Sequence, residues 1–214
     1  MNYSFLALGD SYTIGEGLPV YESFPYQTVQ ILREGSGASF YAPEIVARTG
    51  WTTDELIGGI AHTRLLPVYD FVSLLIGVNN EYRGRDLTEY ESQFGALLQQ
   101  AIGLAGGKKD HVFVLSIPDW SVTPFARSYL PDAAGRDIGR IAREIDQFNA
   151  AAERITGQHA VGFIDITPHT RESAATFAPD GLHPSGIEYR YWAGQLATTI
   201  TKTLALPGTP GPLR

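Results

Sequence analysis

The sequence predicts an α/β protein built on a five-stranded parallel sheet with helices over both faces. Three observations carry this expectation. Short apolar runs alternate with segments of helical period along most of the chain. From Phe71 to Ile76 every residue except Ser73 is apolar, as a strand buried on both faces requires. The 214 residues, 43% of them apolar, are enough for one domain with a sizeable core.

The elements follow in order. Tyr3 to Leu8 reads as the first strand, and it stops at Gly9-Asp10-Ser11. Glu22 to Glu34 has helical spacing through Phe24, Val29, Ile31 and Leu32, with Pro25 in the first turn and Gly35-Ser36-Gly37 as the stop. Phe40 to Ala47 is a weaker second strand, followed by the loop Arg48-Thr49-Gly50-Trp51. A helix starts at Thr52, where Thr52 and Glu55 are spaced as a capping box. The third strand, Asp70 to Ile76, breaks at Gly77-Val78-Asn79-Asn80. Asp86 to Leu104 is a helix, His111 to Ile117 the fourth strand, Ala133 to Thr156 a long helix and Ala160 to Ile166 the fifth strand. Residues 118–132 show no period and are long for a plain connection, so they are expected to form a functional loop over the site. Asp180-Gly181-Leu182-His183-Pro184 is a turn. The last helix, Ser185 to Leu204, opens on a second capping box between Ser185 and Glu188. Residues 1–205 are expected to form the single domain, and the Pro/Gly-rich residues 206–214 to fray.

The totals exclude several functions. Sixteen Lys and Arg face 23 Asp and Glu, a formal charge of −7, and no basic cluster larger than Lys108-Lys109 is present, so nucleic acid is not an expected partner. The chain has no cysteine, which removes thiol catalysis, disulfides and Cys-ligated zinc. No apolar run approaches the ~20 residues of a membrane span, and the N-terminus lacks a charged leader. Stable membrane insertion is therefore not expected, and a cytoplasmic location is the default. No pair of the scattered His62, His111, His159 and His169 has metal-ligand spacing, so neither a metal nor a cofactor is expected. Oligomeric state is unreadable.

In a parallel α/β sheet the loops that follow the strands share one edge. Four loops bring polar groups there: Asp10 and Ser11, Gly50, Gly77 and Asn79, and Asp180 with His183. Asp10 or Ser11 could equally serve as a helix cap. Together these groups can perform acyl transfer. A serine hydroxyl needs a base such as histidine, the histidine needs a carboxylate to set its tautomer, and the tetrahedral oxyanion needs donors. The candidates are Ser11 as nucleophile, His183 as base and Asp180 as its partner, with the N–H groups of Ser11 and Gly50 and the Asn79 amide at the oxyanion. Asp119 and Asp165, near strand ends, are rival carboxylates; Asp180 ranks above them because a short turn keeps it beside His183. Trp51, Tyr82, Arg83, Trp120 and Phe125 are candidates for the substrate pocket.

Gly9-Asp10-Ser11, Gly50, Gly77-Val78-Asn79 and Asp180-Gly181-Leu182-His183 fall in the order of the four blocks of the SGNH hydrolases, the GDSL lipase/esterase family, which the chain resembles over roughly residues 5 to 195. The resemblance implies a three-layer α/β/α sandwich of flavodoxin-like layout and a serine esterase acting on a small-molecule, lipid or sugar ester. It also implies Ser11, His183 and Asp180 as the triad, and Ser11, Gly50 and Asn79 as the oxyanion hole. Tyr12 stands where the family often has Leu, and Asn80 where it often has Asp. The G-x-S-x-G elbow of the α/β-hydrolases is missing. Two other readings compete. A flavodoxin-like module could bind phosphate or flavin at Ser11, Thr13 and Gly15, but it leaves Asn79, Asp180 and His183 without a role. A non-catalytic, carbohydrate-binding relative would keep the fold alone.

Overall fold

The computed structural model describes residues 2–35, 37–129, 137–172 and 175–205. Five strands, β1 (Phe5–Asp10), β2 (Glu44–Arg48), β3 (Phe71–Leu75), β4 (Val112–Leu115) and β5 (Gly162–Ile164), pair in the order β2-β1-β3-β4-β5, all parallel. The helices are α1 (Ser11–Ile14), α2 (Phe24–Gly35), α3 (Thr53–His62), α4 (Val78–Tyr82), α5 (Leu87–Leu104), α6 (Pro124–Tyr129), α7 (Ile138–Gln158), α8 (Thr167–Thr170) and α9 (Gly186–Leu204). On one side of the sheet α2 packs on α9; on the other α5 packs on α3 and α7. The expected α/β/α sandwich is therefore the observed fold. Every residue of β1, β3 and β4 is buried, which accounts for their apolar runs.

Element boundaries moved where backbone chemistry outweighed pattern. The second strand begins at Glu44 rather than Phe40, because Pro43 has no N–H to give to the ladder; Phe40 makes only an isolated bridge to Tyr3. The first strand runs on through Gly9 and Asp10, since neighbours on both sides keep pairing there: Gly9 opposes Ala47 and Leu75, and Asp10 opposes Arg48. The capping box at Thr52 is present, its N–H donating to Glu55 at 2.9 Å. The expected box at Ser185 is half formed: Ser185 Oγ accepts from Glu188 N, but the Glu188 carboxylate turns away to the Thr176 N–H and to His169. The stretch from 118 is not irregular. Asp119 caps a turn at Trp120–Val122, and Pro124 opens α6, a position where its missing N–H is harmless. The long helix expected from Ala133 is described from Ile138, with Asp137 as its cap. Residues 133–136 and the tail 206–214 lie outside the described residues. The short helices α1, α4 and α8 were not expected.

The sheet reverses its winding direction between β1 and β3, and the chain crosses from β1 into α1 at that point. Gly9 makes the crossing possible: a Cβ there would sit 2.1 Å from Thr13 Oγ1 and 2.4 Å from the Leu75 carbonyl oxygen. The second of these is strand backbone and cannot move aside. Gly9→Ala is expected to cost about 3 kcal/mol or more through overpacking, read as a lower midpoint in chemical unfolding. Unfolding at the wild-type midpoint would show that β1 and β3 can separate here.

Candidate active site

Ligand sites of open parallel sheets form at the point where strand order reverses, and here that is the carboxyl ends of β1 and β3. The β1 end carries Asp10 and Ser11. Asp10 caps α1, its Oδ1 accepting from Tyr12 N at 3.0 Å, and the cap puts Ser11 at the helix start. The Asp10 side chain is fully buried. Burial pushes its carboxyl up to about 7, against the opposing hydrogen bonds from Tyr12 N–H and the Asn79 amide.

The β3 end opens into α4, whose residues fan out to different neighbours. Asn79 Nδ2 donates to the Trp51 carbonyl at 3.0 Å and lies 3.4 Å from Asp10 Oδ2. Asn80 Oδ1 accepts from Thr53 N at 3.1 Å, while its Nδ2 donates to Thr53 Oγ1 at 2.8 Å. Asn80, at the position where Asp is frequent, thus ties α4 to the start of α3, and its amide supplies a donor that a carboxylate lacks. Glu81, buried, accepts from Trp120 Nε1 at 2.7 Å. Beyond the helix, Arg83 Nη2 donates to the Gly50 carbonyl at 2.5 Å, holding a peptide whose φ of +81° favours glycine.

From the other end of the chain, Asp180 and His183 approach through their turn. Asp180 Oδ2 accepts from His183 Nδ1 at 2.6 Å, and Oδ1 accepts from the N–H groups of Leu182 and His183 at 2.9 and 3.0 Å. Partial burial opposes the charge, but the imidazole and the two N–H groups outweigh it and hold the Asp180 carboxyl below its ordinary range. The turn is fixed to α6 by Phe125 N donating to the Gly181 carbonyl at 2.9 Å. The His183 ring lies against Tyr12, 4.9 Å between centroids, and Tyr12 in turn lies on Trp192. Tyr12 therefore supports the imidazole.

Ser11, Gly50, Asn79 and His183 border one cleft of about 190 Å³. Of the five expected pocket residues, Tyr82, Trp120 and Phe125 line it. Trp51 and Arg83 do not. The Trp51 ring lies over Gly59 of α3, where an added Cβ would sit 2.1 Å away, and Arg83 is drawn off by Gly50 and by Glu55, 3.4 Å distant. Tyr12, Thr49, Val78 and Leu182 also line the cleft without having been singled out for it; each is adjacent in sequence to a residue that was. The rival carboxylates are engaged elsewhere: Asp119 with Arg171 at 2.7 Å, and Asp165 with Ser116 Oγ at 2.9 Å. The other histidines do not line the cleft. His111, for example, is buried against Phe71, with Nδ1 2.6 Å from the Asp70 carbonyl oxygen. Among the described residues no group of three or more His, Cys, Asp or Glu could hold a metal ion, and no helix is long and apolar enough to cross a membrane.

The model of the GDSL-like lipase/acylhydrolase family matches residues 7–191. The chain belongs to that family. GDSL-family chemistry is ester hydrolysis in general terms, and the fold agrees with that of solved members. A lipase/acylhydrolase from Enterococcus faecalis superposes with a TM-score of 0.69 at 18% identity, covering 94% of this chain and 96% of its own. The lipase Lip_vut3 from a goat rumen metagenome gives 0.73 at 17% identity, over 92% and 97%. The acetylxylan esterase Axe2 from Geobacillus stearothermophilus gives 0.68 at 18%, over 92% and 94%. A search of curated proteins gave no match. At these identities the GDSL-family neighbours speak for the fold alone.

Two measurements test the framework around the cleft. Asn80→Ala strands the Thr53 N–H and is expected to cost about 1–3 kcal/mol in unfolding free energy. Asp10 carries a pH signature. Its folded-state pKa of about 7 lies above its ordinary 3.8, so its contribution to stability is greatest below about pH 4 and is lost as the pH rises to about 7. The difference in Tm between Asp10→Asn and wild type should move in favour of the variant across that window and level off above it. A difference constant from pH 4 to 7 would contradict a desolvated carboxyl.

Proposed function

We propose that the protein is a serine esterase that cleaves carboxylic esters through an acyl-enzyme. The observation that carries this reading is the hydrogen bond between His183 Nδ1 and Asp180 Oδ2, on an imidazole that borders the same cleft as Ser11, Gly50 and Asn79. An Nδ1–H given to Asp180 leaves Nε2 as the basic nitrogen. Ser11 Oγ attacks the ester carbonyl carbon as His183 Nε2 takes its proton. The carbonyl oxygen becomes an oxyanion, received by the N–H groups of Ser11 and Gly50 and by Asn79 Nδ2. The tetrahedral intermediate collapses, the C–O bond to the alcohol breaks, and His183 returns the proton to the departing oxygen. Water then attacks the acyl-enzyme with His183 again as base, releasing the acid and restoring Ser11. The residue ranges 7–191 of the family match contain all five groups.

The low pKa of Asp180 fits its part, since the carboxylate stays charged over the range in which an imidazole acts as a base. The substrate is a small-molecule, lipid or sugar ester; neighbours named as lipases and as an acetylxylan esterase span that range.

Ser11→Ala is expected to lower kcat on p-nitrophenyl butyrate by about 10³-fold or more, and Asn79→Ala by about 10²–10³-fold. A fluorophosphonate should label the wild type at Ser11 and leave Ser11→Ala unlabelled. Wild-type turnover by Ser11→Ala would end the proposal, and an unlabelled wild type would favour a non-catalytic relative.

A further inference from the structure

A second cavity shares part of its wall with the cleft. It holds about 20 Å³, room for one water-sized group, and its walls are mostly apolar, among them Pro118, Phe177, Pro184 and Trp192. Three side chains, Tyr12, Trp120 and Leu182, line both spaces. Trp120 is the largest of them. It is 2% exposed and is fixed on several sides. Its Nε1–H donates to Glu81, Tyr82 meets it edge-on at 5.3 Å, and Phe125 lies 6.4 Å away. A carboxylate as deeply buried as Glu81 costs stability unless it is well partnered. Its engagement by an indole at the cleft wall is a use of that cost that packing alone does not call for.

We propose that Trp120, held by Glu81, is the partition that limits the length of the acyl chain this protein accepts. The inference rests on the esterase reading. In that reading the leaving oxygen must face His183, which returns its proton, and the carbonyl oxygen must face Asn79. The remaining substituent of the carbonyl carbon, the acyl chain, is then left to the apolar part of the cleft wall. Val78, Tyr82, Trp120 and Phe125 belong to that wall. In this proposal the cleft of about 190 Å³ takes an acetyl or butyryl group with the indole in place. A longer chain needs volume that the indole itself fills, since the apolar cavity sharing its wall holds no more than one water-sized group. Trp120 is thus a specificity-determining residue, and Glu81 is a positioning residue that acts through it.

The test uses the full chain and p-nitrophenyl esters from acetate to decanoate, with kcat and KM separated for each. The reading is the ratio of kcat/KM for octanoate to that for acetate. Each methylene admitted to an apolar pocket is worth about tenfold or more; Trp120→Ala should therefore raise the ratio at least about tenfold, chiefly through KM for the long ester. Glu81→Leu removes the acceptor and should move the ratio in the same direction. Glu81→Gln keeps a carbonyl oxygen for the indole N–H and should restore the wild-type ratio, which a purely structural role for Glu81 would not require. Should Trp120→Ala fail to fold, Trp120→Leu reads the same quantity with less volume removed. An unchanged ratio in a folded Trp120 variant overturns the partition and leaves the esterase reading standing. Failure of the wild type to cleave any of these esters removes the esterase reading, and the partition with it.

Discussion

The close contact at Gly9 is the constraint on which the rest of the site depends. A residue without a side chain lets β1 lie between β2 and β3 and still turn into α1 directly beneath the Leu75 carbonyl. Asp10 can then cap the turn from inside the protein, and Ser11 emerges at the sheet edge where the winding direction reverses. Any side chain at position 9 would push apart the two strands whose ends bring Ser11 and Asn79 to one cleft. The free energy that holds the hydroxyl in place is therefore that of the sheet core, which is large and cooperative, rather than that of a local loop.

Helix α4 does for the periphery what Gly9 does for the centre. It has only five residues, yet its side chains and the one just after it reach four different structures. Asn79 reaches the Trp51 carbonyl and Asp10, Asn80 the start of α3, Glu81 the indole of Trp120, and Arg83 the Gly50 carbonyl. Successive residues of a helix point about 100° apart, so a single turn can hold groups on all sides of itself. The cleft wall, the Gly50 peptide and the Asn79 amide are consequently positioned together. Disturbing one of these links should be felt by the others, because they share a rigid element.

Asp10 and Asp180 show how one residue type acquires opposite characters. Asp10 is removed from water, and burial raises its pKa despite its hydrogen bonds. Asp180 keeps access to solvent, its side chain 37% exposed, and three donors converge on it, so its charge is favoured. The carboxylate beside the imidazole is thus the one whose surroundings keep it ionised.

The α/β class, the number of strands and the order of the polar loops were legible in the sequence, because a strand buried on both faces must be apolar and parallel crossovers must be helical. Ser11, Gly50, Asn79, Asp180 and His183 could be singled out for the same reason: each follows an apolar run or sits in a turn where only special residue types serve. Pattern could not reveal partners distant in the chain. Nothing local distinguishes Glu81 from a solvated helix residue, or marks Arg83 as a hold on Gly50 instead of a pocket wall. Trp51 looked like a pocket aromatic until its ring was found over Gly59. The sequence by itself determined the layers and which loops share an edge, since periodicity and burial are properties of neighbouring residues. Only the tertiary structure decided what each side chain at that edge faces, since those distances depend on how strands far apart in the chain come to lie side by side.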